Sequence, residues 1–157
     1  MTTTSTVAPE RASRHLVSLV LRGILAVALV VDAVVHLRLA GGYQQSAPGG
    51  IGAGNLFRIE AVAALVVAAW VLWRGSRASL LAAFAVGLSA VVAVVLYRYV
   101  DVPALGPIPA MYEPVWFGEK TLSAVSEGVA TLVALMALVT QSSRNGGDEL
   151  PNHRPKN

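Results

Sequence analysis

Four long apolar runs constrain this chain more than anything else in it: residues 16–39, 56–73, 80–97 and 122–140. Each approaches the roughly 20 residues that an α-helix needs to cross about 30 Å of hydrocarbon. Lipid offers no water to unpaired backbone groups, so a spanning segment is a helix or part of a closed barrel. Barrel strands alternate in polarity over about ten residues, whereas these runs are continuous. The expected fold class is an all-α membrane protein, a four-transmembrane-helix bundle of the cell membrane. Composition agrees, since 13% of the 157 residues are charged against about 25% in soluble domains. The first run is too long for a signal-peptide core, and Arg22, Asp32 and His36 interrupt it. It is read as a retained helix.

The rest of the chain organises itself around these runs. Residues 1–10 (MTTTSTVAPE) are rich in Ser and Thr and lack apolar periodicity, which reads as a disordered tail; residues 142–157 read the same way. The transmembrane domain is then 11–141. A glycine-rich stretch from Gly41 to Gly52 joins the first two spans, and the basic turn Arg74-Gly75-Ser76-Arg77 joins the next pair. The longest connection, DVPALGPIPAMYEPV, holds Pro103, Pro107, Pro109 and Pro114. So many prolines predict a stiff loop lying over the bundle. Arg11, Arg14, Arg74, Arg77, Arg144, Arg154 and Lys156 gather on the side of the termini, an excess that predicts both termini in the cytoplasm. Small residues four apart, such as Ala83 with Gly87 and Ala124 with Gly128, suit close helix packing in lipid.

Several chemistries are excluded. The chain has no cysteine, which removes disulfides, thiolate chemistry and Cys-ligated zinc or iron–sulfur clusters. His36 is the one histidine inside a span, so no haem-ligating pair is expected. Basic residues are scattered instead of patched, which argues against nucleic acid.

What remains is a set of polar residues in places that lipid penalises. Asp32 and His36 lie one turn apart in the first span, and Glu127 lies well inside the fourth. At 1.5 Å per residue, Asp32 and Glu127 are each roughly 10 Å from their span ends, beyond comfortable snorkelling. A carboxylate bonded to an imidazole can orient it as a base, a proton relay or a metal ligand, or can simply lock two helices together. Glu60 and Arg58 open the second span, and their two-residue offset points them apart, so Glu60 is expected to find a partner on another helix. Lys120, Ser123 and Glu127 share one stripe of the fourth helix. The expectation is that Asp32, His36, Glu60 and Glu127 face one shared space as ligand-binding or proton-relaying groups. Arg58, Arg98 or Lys120 would supply compensating charge. No metal site is expected, because a di-iron bundle wants paired Glu-x-x-His motifs and none is present.

Glu60 early in the second span, the apolar run ending in the turn at 74–77 and the alanine-rich third span together resemble the DoxX-like membrane proteins. The stretch HLRLAGGY is also similar to small bacterial integral membrane proteins. That resemblance implies a link to membrane redox complexes, and so a quinone as the cofactor class. His36-Leu37 stands where such chains often carry Lys-Leu. Three functions are open: an accessory subunit whose polar pocket, in the outer half of the bundle, binds a ligand or partner or relays protons; a quinone-linked redox subunit; and a structural assembly subunit. None requires the chain itself to be an enzyme. The bilayer is its expected surroundings, with a membrane-protein partner or a second copy as candidate company.

Overall fold

The computed structural model describes residues 7–147. They form four helices: α1 (Val7–Ser46), α2 (Ala53–Trp73), α3 (Arg77–Tyr99) and α4 (Gly118–Gly147). All four contain a stretch long and apolar enough to cross a membrane. No strand occurs among the described residues. The described residues are thus an all-α bundle of four helices that could each span a membrane, the pattern of a multi-pass membrane protein.

Two boundaries differ from the sequence reading. The helices reach into both expected tails, α1 from Val7 and α4 as far as Gly147; residues 1–6 and 148–157 lie outside the described residues. Gly41 and Gly42, read as part of a connection, stay helical, and the connection shortens to 47–52. Packing of α2 explains this extra length. Gln44 on α1 accepts the backbone N–H of Asn55, 3.1 Å away. Gly54 passes so close to α1 that a Cβ there would sit 2.1 Å from the Ala40 carbonyl oxygen. The last turns of α1 are held by a neighbour, which outweighs the low helix propensity of glycine.

The interior is small and the exterior large. Ala33, Ala61, Ala64, Ala83, Ala130 and Ala134 are fully buried, whereas Leu16, Val27, Val66, Trp73 and Leu132 are well exposed. Such an arrangement suits lipid, where helices associate by close packing of small residues and apolar side chains lose nothing by facing outward. Leu25, Leu29, Val71 and Leu80 fill the core at the end of the bundle carrying the α2–α3 turn. That turn is tied down: Ser76 caps α3 by accepting the Ser79 N–H at 3.2 Å. Arg22 and Gln141 donate to the Gly75 carbonyl from α1 and α4. Arg22 therefore ties α1 to the α2–α3 turn.

Around the bundle, α1 packs on α2 and α4, and α3 packs on α4; the α2–α3 seam is the loosest of the four. The proline-rich connection lies across the opposite end. It doubles back on itself through bridges pairing Val102 with Met111 and Leu105 with Ile108. The Ile51 N–H reaches the Pro107 carbonyl at 2.8 Å, and the Glu113 N–H reaches that of Tyr97 at 2.8 Å. The loop roofs the bundle where the sequence predicts a stiff one.

Candidate functional site

Beneath that roof is a cavity of about 510 Å³, bounded by all four helices and by residues 108–113 of the loop. The volume falls in the range of small-molecule sites, about 300–1,000 Å³. It exists because the α2–α3 seam is loose and the side chains there are short: Ser89, Ala90 and Ala93 on α3 cannot reach across to α2.

The inner end of the cavity is polar. Asp32 lies 2% exposed behind its wall, while His36 and Glu127 line it. His36 Nδ1 is 2.9 Å from Asp32 Oδ1 and 3.1 Å from the Asp32 backbone oxygen. A carbonyl only accepts, so Nδ1 carries a hydrogen and Nε2 is the ring atom left for other partners. Ser123 on α4 closes the cluster, with its hydroxyl 3.0 Å from Asp32 Oδ1 and 2.7 Å from Glu127 Oε1.

Counting hydrogens in this cluster is informative. Ser123 has one hydroxyl hydrogen and two short contacts to carboxylate oxygens, so it serves one of them as donor. With both carboxylates ionised, the other contact would be a bare oxygen–oxygen approach. The geometry therefore asks for one further proton, or another cation, shared among Asp32, Ser123 and Glu127. With that proton in place, an unbroken hydrogen-bonded chain runs from His36 through Asp32 and Ser123 to Glu127. Both ends of the chain line the cavity.

The sequence prediction for the site divides here. Asp32, His36 and Glu127 come together, with donor atoms within 4.8 Å of one another. Glu60 faces the same cavity from α2 but makes no hydrogen bond or ion pair, and its Oε1 is buried without a partner. Its expected partner on another helix is absent among the described residues, because the gap between α2 and α3 leaves nothing opposite within reach. Glu127 Oε2 is likewise buried and unpartnered.

The three cations expected to compensate the acids do not pair with them. Arg58 bonds Asn55 Oδ1 at 2.7 Å, and Arg98 lies over the Tyr99 ring. Lys120 donates to the Glu113 backbone carbonyl and faces the Trp116 ring. Among the described residues, the basic side chain that meets a carboxylate is His36, which is a cation only when both ring nitrogens carry hydrogen. Arg58 starts near a helix end and extends toward water more cheaply than it folds inward, whereas Arg98 is half-buried against the Tyr99 ring with its Nε lacking a partner.

Two contributors were not singled out in the sequence. Ser123 is the hub of the cluster, and its position one turn before Glu127 on the Lys120 stripe was the available signal. Tyr43 donates to Glu113 Oε2 at 3.1 Å and stacks on Phe57, whose edge meets His36. The tyrosine therefore ties the roof to α1.

As a ligand set, one nitrogen and two carboxylate oxygens resemble a single mononuclear site of the zinc class more than a di-iron centre. Taken together, fold and site define a bundle of four helices, each long and apolar enough to cross a membrane, with an acid-floored cavity under its loop. In comparison with known proteins, no family model, no curated protein and no solved structure matches the chain. The likeness to DoxX-like proteins rests on the sequence motifs alone.

Proposed function

We propose that this is a small accessory protein of the cell membrane that holds an amphiphilic ligand in the cavity beneath the proline-rich loop. The polar end of that ligand would meet Glu60, His36 and Glu127, and Asp32 and Ser123 would pass a proton between the last two. One observation carries the reading: a cavity of about 510 Å³ whose lining includes Glu60 and Glu127, each with a buried carboxylate oxygen that lacks a partner. Buried acceptors without partners are costly, and a ligand that satisfies them recovers that cost. The loose α2–α3 seam supports entry from lipid. With both termini in the cytoplasm, as the arginine distribution favours, the cavity belongs to the outer half of the bilayer.

The other readings have less support. A quinone offers carbonyl oxygens, which need donors, whereas the unpartnered buried atoms of the lining are carboxylate oxygens of Glu60 and Glu127. A purely structural subunit would bury its acids in packed contacts and has no use for an open cavity beside them. The experiment is mass spectrometry of small molecules retained by the chain in mild detergent, compared between wild type and Ala93→Trp, which fills the cavity. Enrichment in wild type alone supports the proposal. Equal retention by both, or no enriched species in either, refutes it.

A further inference from the structure

We infer that the ligand this cavity takes is cationic: a lipophilic amine, bound as its ammonium ion with N–H groups directed at Glu60 and Glu127. This inference rests on the ligand-binding reading and adds the chemical class of the occupant.

The first argument is the sign of the unmet hydrogen bonds. The partnerless buried atoms in the cavity lining, Glu60 Oε1 and Glu127 Oε2, are both acceptors. Several donors of the same lining already serve protein oxygens: Tyr43 on Glu113, Ser89 on the Val86 carbonyl, Ser123 within the cluster, and one N–H of Lys120 on the Glu113 carbonyl. The group complementary to both oxygens is one that donates several hydrogen bonds, and an alkylammonium does so.

The second argument is charge. Glu60, Glu113 and Glu127 line the cavity and Asp32 stands directly behind it, against Lys120 and His36. Lys120 and Glu113 lie together under the roof and His36 is paired with Asp32. Glu60 and Glu127 are left as the acids without a cation. An uncompensated carboxylate in a low-dielectric interior attracts a positive charge strongly.

The third argument is the wall. Tyr43 and Phe57 stack along one side from His36 to the roof, with Tyr97 and Tyr112 also lining the space. Aromatic faces stabilise organic cations and accept their apolar stems. The hydrogen count of the cluster is compatible with this: the shared proton bridges Ser123 to Asp32 Oδ1 and Glu127 Oε1, which leaves Glu127 Oε2 to accept from the ammonium.

The test uses the full chain in lipid nanodiscs and tritiated 4-phenylbutylammonium, read by scintillation proximity against empty nanodiscs. Unlabelled amine should displace the probe. The isosteric alcohol and the N,N,N-trimethyl analogue should be weaker by about tenfold or more, the scale of a hydrogen bond to a charged group. Phenylbutyrate should not compete. Glu127→Gln should weaken the amine by a similar factor; because Glu127 also bonds Ser123, Glu60→Gln serves as the second variant, removing a group that has no protein partner to lose. Asp101→Asn, exposed and outside the cavity, should change nothing. Equal competition by alcohol and amine overturns the cationic assignment while leaving a ligand cavity standing. Unchanged affinity in both Gln variants, or no saturable binding by wild type, also overturns it. The two proposals fail separately: a neutral molecule retained by wild type and lost from Ala93→Trp would keep the cavity reading and end this one.

Discussion

Ser123→Ala is the most direct probe of the buried cluster. The hydroxyl makes one contact within α4, to Glu127, and one between helices, to Asp32 on α1, and the residue is 5% exposed. Alanine removes a single oxygen, so lost packing is minor and the cost is electrostatic. Leaving a buried acceptor without its donor costs about 1–3 kcal/mol in proteins generally. Hydrogen bonds between membrane helices measure lower, about 0.6 kcal/mol on average and about 1.7 at most. Two carboxylates lose their common partner here, so the upper part of the membrane range applies, and about 1–2 kcal/mol is expected. That amount changes the folded-to-unfolded ratio by about 5–30-fold. The control is Ser126→Ala. Ser126, equally buried three residues on, donates to the Ser123 carbonyl of its own helix. Its loss strands no carboxylate and should cost under about 1 kcal/mol. Both would be measured by equilibrium unfolding of the detergent-solubilised chain, following helicity as denaturing detergent is added. If Ser123→Ala costs no more than Ser126→Ala, the hydroxyl does not hold the two carboxylates together and the proton count fails with it.

Other outcomes follow from the same geometry. Gly87→Ala should destabilise by about 1–3 kcal/mol, since its Cβ would meet Thr131 Oγ1 at 2.8 Å across the α3–α4 contact. Gly128→Ala, with nothing within 4 Å of the added carbon, should raise thermal stability slightly through helix propensity; melting temperatures in one detergent compare the two. Glu113→Ala removes the acceptor of Tyr43 and should speed proteolytic cleavage between residues 100 and 117, with unchanged cleavage counting against the tie between roof and α1. For orientation, Ala104→Cys should react with an impermeant maleimide on intact cells and Ala78→Cys should not; the reverse pattern would invert the topology.

What the sequence determined by itself was the class of molecule and the identity of the awkward residues. Four continuous apolar runs allow little besides four helices, because lipid leaves the backbone no other way to satisfy its hydrogen bonds. The same physics marks Asp32, His36 and Glu127, which no bilayer would accept facing outward. Charge partners were not legible. Arg58 and Lys120 are near enough in sequence to suggest pairing, but long side chains choose among water, carbonyls and aromatic faces only once the helix ends are placed. Tertiary structure alone decided that Ser123 would stand between Asp32 and Glu127, since that depends on the rotation of α4 against α1. It also decided the cavity. A void is a difference between the volume enclosed by four helices and the volume of the side chains that fill it, and the loose α2–α3 seam beside Ala90 and Ala93 leaves that difference unfilled. No local pattern encodes such a difference, because it arises between elements far apart in the chain.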